Sequence, residues 1–352
     1  MLILLLQFLV QPASACLWDS DTLAAEQAGM PDITAVLTGQ FDRHPPGYYE
    51  RRLEIVQRQL ELTPSQLSAY DDAAVALDRL GRPTEAIALM EQKATMMEEV
   101  ATSLAALTER SPESKEADAT MLSEHRYRLL ANQGTFYAHR WLSGGRSPAD
   151  LAQAIALVEE AIALNPDAHF GREVIQLKAL YWLRDAPPLT QPVDILMQPG
   201  LLGFEDWTSQ TIAAVSSDEI DPELELAIEG LAGLIVLGAA WESPDIHLAL
   251  SRALNASGQS TLAWMARLRT VELIDSGKRF YQPTTIPIED LRSALLDESL
   301  MITRHDASVA QVFTTKRAEA DAWRAARQAC VETGLAEGRH PDTDSSFWTG
   351  AP

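Results

Sequence analysis

The chain has 352 residues, 46% of them hydrophobic, with 28 Lys and Arg against 50 Asp and Glu and a formal net charge of −22. That length and apolar content suffice to bury a real core and exclude a disordered chain. No basic stripe of the kind with which a nucleic-acid binder displaces counterions is visible, and the acidity opposes direct adsorption to anionic lipid.

At the N-terminus, Leu2 to Val10 form an apolar run broken only by Gln7, and Pro12-Ala13-Ser14-Ala15 precede Cys16. A short apolar run closed by A-x-A predicts a secretory signal over residues 1–15, too short to cross a bilayer as a helix. No Lys or Arg stands ahead of the run, and a buried N-terminal helix is the competing reading. Ala13-Ser14-Ala15-Cys16 resembles the lipobox of bacterial lipoproteins, with Ala in place of the usual Leu three residues before the cysteine. The resemblance implies a lipid anchor on Cys16. A disulfide to Cys330, the only other cysteine, and two unpaired thiols are the alternatives.

After an N-terminal extension (16–46), the first repeat block is expected over 47–186. Tyr70, Ala73, Ala74 and Leu77 recur at helical spacing, Gly81-Arg82-Pro83-Thr84 breaks the helix, and Ala86, Ile87 and Met90 resume the period. Two amphipathic helices joined by a tight Gly turn pack antiparallel, with small residues where the backbones come closest. A second hairpin places Gly134 and Tyr137 in its first helix and Ala154, Val158 and Ala161 in its second, closed by Asn165-Pro166. Its turn, Trp141 to Asp150, reads as unusually long. Glu109 to Glu116 reads as a loose acidic joint, and the prolines between Pro187 and Gly203 as a break between two blocks. Beyond it (204–336), Leu224–Gly238 with Pro244–Leu254 and Thr261–Asp275 with Ile288–Asp297 are further hairpins. Arg304–Gly334 is a long terminal helix able to cap a solenoid, and 337–352 a polar, flexible tail. No later segment has the run of about 20 apolar residues that a membrane span needs.

The pattern Tyr70, Ala73-Ala74, Leu77, Gly81, Ala86 and Met90, repeated in part by Gly134, Tyr137, Ala154, Val158, Ala161 and Pro166, resembles the tetratricopeptide repeat. Lys93 departs from it by standing where a second Ala is usual. Three phrases, Cys16 to Leu23, Gly39 to His44 leading to Tyr48-Tyr49, and Asn165 to Glu173, are similar to an uncharacterised group of exported bacterial proteins that contain such repeats. The resemblance implies an all-α fold of helical hairpins stacked as an α-solenoid, and export; it carries no reaction. It also implies a concave groove lined by exposed positions of each first helix, here Asp71, Val75, Asp78 and Arg79, then Ala131, Thr135, Ala138 and His139.

The motifs of known chemistry fail on spacing. Asp19-Ser-Asp21-Thr22 lacks the placement of a phosphatase nucleophile and reads as a start-of-helix acidic cap or a flexible segment after the signal. The seven histidines form no H-E-x-x-H, there is no C-x-x-C, and no phosphate-binding glycine-loop motif occurs, so no metal or cofactor is expected. Gly144-Gly145-Arg146-Ser147 precedes a helix and could seat an anion, but with no strand ahead of it reads as an enlarged hairpin turn. The segment Asp42 to Arg52 concentrates Arg43, His44, Tyr48, Tyr49, Arg51 and Arg52 in an acidic chain. It serves either as an interface anchor or as a helix start whose tyrosines pack under the first hairpin while its arginines offset neighbouring acids. The sequence therefore points to a non-catalytic scaffold of the cell envelope for a protein or peptide partner. The alternatives are an envelope enzyme or metal-dependent hydrolase built from residues such as Asp42, His44 and Glu50, and a structural subunit of an envelope assembly.

Overall fold

The computed structural model describes residues 17–28, 31–107, 109–166, 172–192, 194, 222–297 and 308–349. The fold is all-α, as the composition predicts, and among the described residues the sole extended pairing is a bridge between Leu189 and Thr284. Helices α1 (Ser20–Ala28), α2 (Ile33–Thr38) and α3 (Pro46–Leu62) lead into two hairpins, α4 (Leu67–Arg79) with α5 (Pro83–Ala106) and α6 (Pro112–Ser143) with α7 (Pro148–Leu164). Then follow α8 (Arg172–Asp185), α9 (Pro222–Val236), α10 (Pro244–Ala256), α11 (Ser260–Asp275), the short α12 (Ile288–Leu295) and the long α13 (Val309–Ala336).

Proline in the first turn starts α3, α5, α6, α7 and α10, where its missing N–H costs nothing. The hydroxyls of Ser111 and Ser243 accept from the N–H groups of Ser114 and Ile246 and cap α6 and α10. Gly81 closes α4 at φ +74°, a conformation that a side chain would strain. Gly134 lets α6 and α7 approach so closely that a Cβ there would lie 2.9 Å from the Val158 side chain.

Each helix from α3 to α11 packs on its successor, and α4 also lies against α6, so the first helices of the two leading hairpins are neighbours. The long terminal helix runs back across the molecule. α13 packs on α11, α2 and α3, and Arg317 donates to the Thr38 carbonyl and to Glu272. The two ends of the described chain are thereby brought together.

Four expectations need correction. The turn after α6 is short, because Trp141 and Leu142 are buried and stay helical to Ser143. The joint before it is likewise shorter than 109–116, since helix resumes at Pro112. The break at 187–203 does not separate two cores, because Ile175 and Ala179 of α8 and Val36, Leu37 and Phe41 share one apolar cluster with α9, α10 and α11. The tail is not free as far as it is described, since His340 and Phe347 are buried and Phe347 packs with Tyr48 and Val331. Residues 195–203 of the break and 350–352 of the tail lie outside the described residues, as do residues 1–15, the predicted signal.

Candidate functional site

The expected groove positions are on α4 and α6, but they face inward. Asp71, Val75, Asp78, Ala131, Thr135, Ala138 and His139 are all buried, and Arg79 is half-buried. The inner face they form is closed by other parts of the same chain, so the expectation of an exposed groove is overturned.

Its first closure is the segment ahead of α1. Asn132, fully buried on α6, accepts from the Trp18 backbone N–H at 2.7 Å and donates to the Trp18 carbonyl at 3.0 Å. One side-chain amide thus satisfies both main-chain groups of a residue, which is how an extended peptide is held without reading its side chain. Ser20 adds bonds from its N–H and hydroxyl to Asp72 at 2.8 and 2.9 Å. Leu17 enters the apolar cluster of α3 to α6, and Trp18 packs edge-on against Tyr127. Burial and the neighbouring Asp19 push the Asp72 carboxyl up to about 6.

Its second closure is polar pairing within the helices. Lys93 Nζ donates to both Asp71 oxygens at 2.7 Å, and Asn132 adds a third bond at 3.2 Å. The lysine that departs from the repeat pattern is therefore matched by an acid across the hairpin. Burial pushes Asp71 up and Lys93 down, and their mutual attraction offsets part of each shift. Asp78 and His139 Nδ1 meet at 2.7 Å, and Gln176 of α8 donates to the Thr135 hydroxyl at 3.1 Å. Arg79 donates to the Leu237 and Gly238 carbonyls at 2.8 Å, just past the end of α9, where a helix terminus carries partial negative charge.

The second candidate cluster, Arg43 to Arg52, also turns inward. Tyr48 is buried, and its ring is sandwiched between His44, 3.9 Å away centre to centre, and His340 at 4.5 Å. Arg52 has no exposed surface and gathers three carboxylates, Asp19 at 3.0 Å, Asp21 at 2.7 Å and Asp342 at 2.6 Å. Burial and Asp21 push Asp19 up in spite of Arg52. Burial opposes the charge of Asp21 too, but Arg52 and Tyr48 hold that carboxyl below its usual range. Burial lowers His44, against the pull of Asp21, and raises Tyr48 far above the ordinary phenol. Tyr49 is half-buried, edge-on to Tyr48, and Arg43 stacks over Trp241 at 4.3 Å. The segment packs inward, but only Tyr49 reaches the cluster of α3 to α6; Tyr48 packs with Val331 and Phe347 of α13 and the tail rather than under the first hairpin.

Asp19 also accepts from the Thr22 N–H at 2.9 Å, the helix-cap role read from the sequence. Asp42 pairs with Arg327, His44 stacks on Tyr48 and Glu50 is exposed, so these three do not converge. Among the described residues, no group of three or more His, Cys, Asp or Glu side chains is placed to hold a metal ion. Cys16 lies outside the described residues; Cys330 is half-buried and makes no disulfide among them. No described helix is long and apolar enough to cross a membrane.

Sequence reasoning missed Trp18, Asp72, Asn132, His340 and Asp342. Lys93 in a small-residue position was the one visible signal of a buried counter-charge. No family model, curated protein or solved structure matches this chain.

Proposed function

We propose that this chain is a non-catalytic binding scaffold of tetratricopeptide type, exported and held at the cell envelope. Its inner helical face recognises an extended segment of a protein partner. The observation that supports this reading is the two-point hold of Asn132 on the Trp18 main chain, beside the Asp72 contact to Ser20. A hold on main-chain groups is indifferent to sequence, so the surface that seats residues 17–20 suits a partner segment displacing them. Two adjacent hairpins, α4/α5 and α6/α7, the second with Gly134 where its helices come close, support the repeat assignment. A lipid on Cys16 would hold the folded body close to the membrane surface, because Leu17 is already buried.

The test is a photo-crosslinking residue at position 72 of the mature protein, activated in the native envelope fraction. A discrete partner adduct, abolished by excess synthetic peptide covering residues 17–23, is the expected result. Adducts confined to residues 17–20 of the same chain under every condition tried would overturn the proposal.

A further inference from the structure

The end of α11 leads to a second region built on different lines. Gly277, at φ +95°, turns the chain so that residues 278–287 double back before α12 begins. This loop is pinned from outside. The Leu189 N–H donates to the Pro283 carbonyl at 2.8 Å, the Gln282 amide donates to the Pro187 carbonyl, and the Tyr281 N–H donates to Asp245 at 2.9 Å. Between the loop and the helices lies an open cleft of about 300 Å³.

The floor of the cleft is apolar, formed by Ile274, Ile286 and Leu291, all buried. Its charged lining is only basic, consisting of Arg146, Lys278 and Arg279, in a chain whose net charge is −22. Lys278 is tied to Glu242. Neither Arg146 nor Arg279 has a carboxylate within ion-pair distance among the described residues. Arg146 donates weakly to the Tyr281 carbonyl at 3.4 Å and leans over Trp141, and Arg279 donates to the Lys278 carbonyl at 3.1 Å. Arg146 is also the one non-glycine residue at positive φ among the described residues, so the backbone is held in a costly conformation where it presents this guanidinium. Asp245, behind the wall at Tyr281, is pushed up to about 7 by burial and opposes the arginines with only part of a charge at neutral pH.

An apolar basin with a few convergent polar groups at its rim is the general form of a small-ligand site. Guanidinium groups without acidic partners favour a carboxylate that can accept paired hydrogen bonds. We propose that this cleft binds a single-tailed amphiphile with a carboxylate head, of the medium-chain fatty-acid class, its tail on Ile274, Ile286 and Leu291 and its head between Arg146 and Arg279. The volume suits one tail rather than a two-tailed lipid. The site is separate from the inner face of α4 and α6 and stands or falls independently of it.

The test is calorimetric titration of the full chain with decanoate, decanol and decyltrimethylammonium. Saturable binding of one decanoate per chain is expected, with decanol weaker on the order of tenfold and the cationic amphiphile not bound. Arg146→Glu/Arg279→Glu reverses two exposed charges and should abolish decanoate binding without lowering the melting temperature. Ile288→Trp, at another lining position, should block the tail by filling the basin. Absence of saturable decanoate binding to the unmodified chain overturns the proposal. So does equal binding of the cationic amphiphile, or retention of full affinity by both variants.

Discussion

The inner face of α4 and α6 and the cleft beyond α11 treat charge in opposite ways. On the inner face the buried acids Asp71 and Asp78 each meet a cationic or titratable partner within 2.7 Å, and three carboxylates converge on Arg52 nearby. At the cleft, Arg146 and Arg279 are exposed and have no carboxylate within ion-pair distance among the described residues, above an apolar floor of Ile274, Ile286 and Leu291. A buried charge must be compensated during folding, because desolvation is otherwise too costly. An exposed charge can wait for a ligand. Charge therefore marks the first region as satisfied within the chain, where a partner must displace residues 17–20 to enter, and the second as open to a ligand.

The sharpest way to break this contrast is Arg52→Met. It leaves Asp19 almost fully buried without its cation and should cost about 3–5 kcal/mol, read by urea denaturation. Both ends of the described chain should become protease-sensitive, since residues 19, 21 and 342 all depend on that guanidinium. Lys93→Met should cost about 3 kcal/mol by stranding Asp71, whereas Asp71→Leu/Lys93→Met together should recover most of that loss, because a well-packed apolar pair needs no desolvation. If the double variant is no more stable than the single, the pair does more than neutralise itself.

Asp245 gives a pH test at the boundary of the cleft. Burial raises its folded pKa from the ordinary 3.8 to about 7. Between those values the folded protein binds the proton that the unfolded chain releases, so stability falls as pH rises through the window. Asp245→Asn should flatten this slope, and by pH 8 it should be the more stable protein by up to roughly 4 kcal/mol. Parallel denaturation curves at pH 5 and pH 8 measure it; equal slopes for both proteins would refute the assignment. The smallest effect is expected at the cleft rim, where Arg146→Glu/Arg279→Glu should change stability by no more than about 0.5 kcal/mol. A larger loss would mean that these arginines are structural after all.

Much of the fold was legible because helices announce themselves locally. Gly81 with Pro83, Pro148 and Pro244 mark boundaries through backbone chemistry that depends on a few neighbouring residues. The direction in which a polar residue points is not local. Asp71 and Asp78 look like groove residues in sequence, and their burial follows from Lys93, 22 positions on, and from Asn132 and His139, 61 positions on. Tyr48 and Arg52 carried signal as an aromatic and basic concentration, but their partner Asp342 sits in a stretch whose polarity reads as a free tail. Of the cleft, only the stretch Gly144 to Ser147 carried a signal, as a place for an anion ahead of a helix, because the other walls come from residues 274 to 291.

The Arg52 junction also sets an order of events. Hairpins such as α4/α5 can form from neighbours as a chain is synthesised, but Arg52 and Asp342 are 290 positions apart. The guanidinium can therefore recruit its third carboxylate only when nearly all of the described chain has been made. Until then, Asp19 and Asp21 are held at one end of an unfinished junction, and the segment at Trp18 is seated on a loose foundation. The arrival of Asp342 acts as a late closure, so a stalled or prematurely ended chain would present an unlocked N-terminal segment that proteases can recognise.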